Sequence, residues 1–154
     1  MSGALDPVAA HKAAVRAEVE RRGLASFMNA TKWAELKRAV MVELPFVPAA
    51  QRQDVLKPPE RLAGVHDCWQ GHHWDHETIQ PFYSIEWLRL IPRYYEFTGA
   101  LTPYRVAGDC TDQLRAILER LNIPFREDRE RTFWLYGYAS ADPATLTPPS
   151  ETRT

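Results

Sequence analysis

Cysteine is nearly absent: Cys68 and Cys110 are the only two. They stand too far apart for a CxxC redox or zinc pair, which excludes a disulfide framework and the spaced-cysteine metal templates. Glycine is scarce too, at 7 residues. None forms GxGxxG or GxxxxGK, so nucleotide binding by those loops is excluded. Charge of one sign is missing, since 19 basic and 20 acidic residues give a net −1. No global field draws the chain to nucleic acid or to an anionic membrane, and neither is expected as a partner. No apolar run approaches the ~18 residues of a membrane span. The first 23 residues have neither a basic n-region nor an apolar h-region, and a soluble, cytoplasmic chain is expected. Nucleophile elbows, HExxH and paired catalytic carboxylates are missing as well, so enzymatic activity has no motif behind it.

What is present describes one globular domain. The 154 residues, 45% hydrophobic and 25% charged, suffice for a core without metal or disulfide. Residues 8–22 are rich in Ala, Glu and Arg, with Asp6 and Pro7 to start a helix and Gly23 to stop it. Their apolar face is thin, and residues 1–23 are expected to form a helix or arm outside the core. A second helix is capped by Asn29 or Thr31, carries Trp33, Leu36, Val40, Met41 and Leu44 on one face, and ends at Pro45. Residues 46–64 read as loop. The run FYSIEWLRLI, apolar on both faces, predicts a central strand, which Pro92 interrupts before RYYEFTG continues or pairs with it. A third helix is capped by Asp109 or Thr111, presents Leu114, Ile117, Leu118 and Leu121, and stops before Pro124. Ile123–Phe125 and Thr132–Tyr138 flank a charged turn as a hairpin. Trp87 and Phe133 are expected to share one core with these helices. The expected fold is α+β: about three helices on a mainly antiparallel sheet over residues 24–138, with 139–154 a disordered tail.

Two constellations carry chemistry. His66, Cys68, His72, His73, Asp75 and His76 crowd one short window, and imidazole, thiolate and carboxylate are the ligand types of zinc and its neighbours. The spacing matches no full template. His73, Asp75 and His76 fit the second half of HxHxDH, but Gly71 stands where its first histidine belongs. The expectation is weak zinc or nickel binding from a loop, with no cofactor required for folding. The bland reading is a solvated polar loop. The second constellation is Glu86 with Arg93 or Arg89 among Tyr94, Tyr95, Tyr136 and Tyr138. A carboxylate on an apolar strand needs a partner, and Arg93 is preferred because Pro92 breaks the alternation. A structural ion pair is favoured over a substrate clamp. Trp69 and Trp74 lie in the most polar stretch of the chain, where burial is hardest, as residues of a partner-binding surface do.

The segments FMNATKW, IEWLRLIPR and IPFREDRERTFWLYGY together resemble a family of short bacterial proteins of unknown function, marked by MNxTKW, IEWxxxxPR and YGY. The resemblance spans about residues 24–138. It implies one compact domain and carries no activity with it. The leading reading is a non-enzymatic protein-binding module whose partner is another protein, by analogy a cognate toxin that it neutralises as an immunity protein. Its binding residues would be Trp69, Trp74, Glu86, Arg93, Tyr136 and Tyr138. The alternative is a metal-binding protein or metal-dependent enzyme using segment 66–77. A third reading is a small-ligand pocket lined by Trp87, Trp134 and Tyr136.

Overall fold

Pro7 in the first turn and Gly23 at φ +66° bracket helix α1 (Pro7–Arg21) in a computed structural model that describes residues 6–71, 79–99, 101 and 103–152. Asp6 precedes the helix, but its side chain makes no capping bond. Val15 is the buried residue of α1, and His11 Nδ1 lies 2.5 Å from the Tyr83 hydroxyl. The helix is therefore held against the body at several points, although its apolar face is narrow. Strand β1 (Ala25–Ser26) leads into α2 (Ala30–Glu43), where Asn29 Oδ1 accepts from the Lys32 N–H at 2.8 Å. That bond satisfies one of the donors that any helix start leaves open.

The 46–64 stretch departs from the loop reading. Ala49–Asp54 forms β2, an edge strand paired antiparallel with β3 (Ile85–Ile91). AAQRQD lacks β-branched residues, so propensity gave no signal; pairing to a strong central strand overrides it. Its glutamines then hold the loop above them. Gln51 Nε2 donates to Arg61 O at 2.6 Å, and Gln53 Nε2 donates to Lys57 O and Pro58 O at 3.0 Å.

Beyond β3, Pro92 ends the ladder and the chain turns into a separate ribbon, β4 (Arg93–Phe97) against β5 (Tyr104–Asp109). Helix α3 (Thr111–Arg120) follows, and Asp109 Oδ1 accepts from the Thr111 N–H and hydroxyl at its start. The expected hairpin is β6 (Phe125–Glu127) with β7 (Phe133–Tyr136), which pairs with β3. The main sheet thus runs β2-β3-β7-β6, all antiparallel, and β8 (Tyr138–Ala139) pairs with β1. A short helix, α4 (Pro149–Thr152), ends the described chain. The fold is mixed α+β, as expected.

Alternation along the strands gives the sheet two different faces. Leu88, Leu90, Phe133 and Leu135 face Leu36 and Val40 of α2 and Leu114, Ile117 and Leu118 of α3 in the main core. Fully burying a leucine there stabilises the fold by about 1.5–3 kcal/mol. Two expected core positions shift. Met41, one residue past Val40, is exposed, and Trp87 lies on the opposite sheet face with Trp134, Tyr136 and Ala139. Leu121 is half-buried at the core margin.

That second face is built around charge. Arg89 is 1% exposed; its Nε donates to Thr132 Oγ1 at 3.0 Å and its Nη1 to Ala63 O at 2.7 Å, above the Trp134 ring. Asp128 accepts from Trp134 Nε1, from the N–H and hydroxyl of Thr132, and from the Ser150 hydroxyl. Residues 139–152, expected as disordered tail, run back over this face: Ala139 pairs with Ala25, Pro143 is buried, and Glu151 meets Arg129 at 3.1 Å. Asp128 supplies the anchor that composition alone does not show.

Candidate functional site

The β4–β5 ribbon carries a cluster of uncovered apolar side chains. Its root is fixed by Arg93, whose guanidinium donates to Glu130 O, Arg131 O and Thr111 Oγ1, and by the Cys110 N–H bonding to Pro92 O at 2.8 Å. Cross-strand register then sorts the side chains. Tyr95 stands opposite Val106 and Phe97 opposite Tyr104, so these four share one face, while Glu96 and Arg105 pair as ions on the other. Phe97 is 72% exposed and Val106 48%, and Leu101 at the tip is fully exposed. A strand edge of this kind is ordinarily blunted by charge or covered. Here β5 has β4 as its partner among the described residues.

The loop after β2 completes the face. His66 stacks on Tyr104 at 4.4 Å and 10°, and meets the edge of Tyr95 at 4.5 Å. Beneath it, Val65 and Cys68 pack with Ala49 and Ile91. Trp69 is 60% exposed.

The sequence-derived site residues that lie among the described residues fall at separate places. His66 belongs to the aromatic face. Cys68 is buried, its Sγ lies 3.6 Å from Gly64 O, and burial pushes its thiol up against the opposing pull of Arg89. Burial likewise raises Cys110 to about 12. Both cysteines are therefore protonated thiols at neutral pH, poor nucleophiles and poor ligands. His72, His73, Trp74, Asp75 and His76 lie outside the described residues. Among the described residues no three His, Cys, Asp or Glu side chains are grouped to hold a metal.

Glu86 does not pair with Arg93. Its carboxylate accepts from Nη1 and Nη2 of Arg22, at 2.8 and 2.9 Å, beside a cleft of about 600 Å³. Arg93 is unavailable to it because the carbonyls of the 130–131 turn occupy its guanidinium. Tyr136 is buried with a hydroxyl that has no hydrogen-bond partner among the described residues, and burial pushes its pKa up to about 12. It packs with Trp134 and with Trp87, and of the three Trp87 also lines the cleft beside Glu86. Tyr138 is half-buried, and its hydroxyl donates to Tyr83 O at 2.7 Å.

A family of unknown function, DUF6678, matches residues 15–142. The chain belongs to that family. No curated protein and no solved structure matches it. In this DUF6678 chain the recognised motifs hold the fold together: Asn29 caps α2, Trp33 stacks near Phe82 at 6.3 Å, and Gly137 lets two strands meet. A Cβ on Gly137 would stand 2.1 Å from Ile85 O.

Sequence reasoning missed Phe97, Tyr104 and Val106. The signal was available in Tyr-Glu-Phe and Tyr-Arg-Val, two arms that alternate apolar and charged residues about a Gly- and Pro-containing turn.

Proposed function

We propose that this DUF6678 chain is a non-enzymatic protein-binding module whose partner lays an extended strand along the outer edge of β5. The observation that carries this is the pairing of an open strand edge with the exposed face of Phe97, Tyr104 and Val106. Strand addition obtains affinity from backbone hydrogen bonds and specificity from the alternate side chains. Glu96 and Arg105 neutralise each other, so apolar contact rather than charge steering dominates the face. Trp69 and His66 extend the surface, as aromatic anchors do at interaction sites. A toxin neutralised by the chain is the partner class this reading puts first. No catalytic group is needed for such a role.

The test uses the full chain as bait in cells that naturally express it. Wild type should recover one stoichiometric partner, Val106→Glu should lose it, and Met41→Glu on the exposed side of α2 should keep it. Hydrogen exchange at residues 104–109 should slow in the complex. A partner retained by Val106→Glu, no stoichiometric partner, or a dimer of the chain alone in sedimentation would each overturn the proposal.

A further inference from the structure

A second concavity, on a different part of the molecule, has the shape of a small-molecule site. It opens between α1, the start of α2, and the turn at Phe82–Ser84, and encloses about 490 Å³. That volume falls within the range of small-ligand pockets. Its walls are apolar: Met28, Trp33 and Phe82 inside, with Pro81 and the half-exposed Val8 at the mouth.

Apart from Gln80 and Lys12, the polar side chains around it are committed. Asn29 caps α2 through Oδ1, the Tyr138 hydroxyl donates to Tyr83 O, and the Tyr83 hydroxyl meets His11. Lys12 is different. It is the one formally charged residue lining the pocket, its Nζ stands 5.4 Å from the Tyr83 ring centroid, and it makes no ion pair among the described residues. A desolvated apolar wall with one ammonium at its rim complements a molecule with an apolar body and one anionic end. Two of the recognised segments meet here, since Met28, Asn29 and Trp33 come from MNxTKW and Gly137 and Tyr138 from YGY.

We infer that this pocket binds a small hydrophobic monocarboxylate, with the body against Trp33 and Phe82 and the carboxylate on Lys12. Such binding needs no partner protein and stands apart from the β4–β5 face.

The experiment is calorimetric titration of the full chain with 2-naphthylacetate and with its near-isosteric neutral amide. The acid should bind, and the amide should bind about tenfold more weakly, the scale of one charge-assisted contact. Lys12→Gln should lower affinity for the acid to that of the amide and leave the amide unchanged. Val8→Trp, at an exposed helix position that tolerates a larger side chain, should weaken both by closing the mouth. Thermal melts of both variants confirm that they fold. Equal binding of acid and amide, full affinity in Lys12→Gln, full affinity in Val8→Trp, or no binding of the acid at millimolar concentration would each refute the site.

Discussion

Arg22 and Glu86, 64 residues apart, meet through two parallel N–H···O bonds of 2.8 and 2.9 Å. Arg22 is the C-cap residue of α1, so the pair ties the end of the first helix to the first turn of the central strand. Both side chains keep partial solvent contact, at 31% and 19% exposure. Glu86→Gln should therefore cost only about 1 kcal/mol in a urea melt. Its larger effect should be local, as faster hydrogen exchange across α1 than in α2. Unchanged protection of α1 would show that Val15 and His11 hold the helix without the ion pair.

Two glycines should respond to alanine for different reasons. At Gly23 nothing lies within 4 Å of an added Cβ, but φ is +66°, a strain of about 1 kcal/mol. At Gly137 the added Cβ would strike backbone, 2.1 Å from Ile85 O, and the β3–β8 corner must open. Gly137→Ala should cost more, about 1–3 kcal/mol or above. Denaturant midpoints settle the order, and an equal loss at both sites would mean that the corner relaxes freely.

Leu118 reports whether α3 is phased correctly. It is fully buried among Leu114, Ile117 and the sheet, and Leu118→Ala should cost about 2–5 kcal/mol. A loss below ~0.5 kcal/mol would place it on the surface instead.

Helices α2 and α3 were legible because each is amphipathic and carries its own punctuation: Asn29 and Pro45 around α2, Asp109 and Pro124 around α3. The central strand was legible from Ile85 to Ile91 because apolar residues on both faces have few other places to go. β2 was not, since Gln53 is buried and Gln51 half-buried only by virtue of the loop carbonyls and N–H groups they hold. The Arg22–Glu86 partnership was hidden too. Sequence proximity favoured Arg93, and only tertiary structure shows that Arg93 is used by the 130–131 turn. The exposed ribbon was legible in principle from its alternation, but pattern alone does not tell an apolar face that packs from one that stays open.

We propose weak zinc or nickel binding by the 66–77 segment, and two of its described residues shape the test. Cys68 is buried with a raised thiol pKa, and His66 is stacked between Tyr95 and Tyr104. Binding a metal through either would require giving up those contacts and, for the thiol, a proton. Calorimetry should therefore give weak zinc affinity that Cys68→Ala leaves unchanged and that chelation does not convert into a lower melting temperature. Tight one-to-one binding abolished by Cys68→Ala would show that the loop rearranges around the metal.

Acid stability should be set in good part by Asp128. Burial raises its pKa, but bonds from Trp134 Nε1, the Thr132 N–H and hydroxyl and the Ser150 hydroxyl outweigh that, and the net direction is downward from the ordinary value. A carboxylate whose folded pKa lies below its unfolded value, about 3.9, stabilises the fold above that value. The contribution is lost as pH falls through the lower, folded pKa. Asp128→Asn should therefore cost about 1.5–3 kcal/mol near pH 7, the scale of hydrogen bonds to a charged acceptor. The gap between the two proteins should begin to narrow below about pH 4, the unfolded-state value, and close only as pH falls through the lower, folded pKa. Asp54 and Asp109 are also shifted downward, so the variant keeps part of the acid sensitivity and loses only the share of Asp128. Because the Ser150 hydroxyl reaches the same oxygen, Ser150→Ala should release residues 143–152 to proteolysis while lowering stability less than Asp128→Asn. Urea melts of wild type and Asp128→Asn from pH 7 to pH 2.5 read the result directly. A gap that stays constant across that range would mean that Asp128 acts through its shape and neutral hydrogen bonds, and not through its charge.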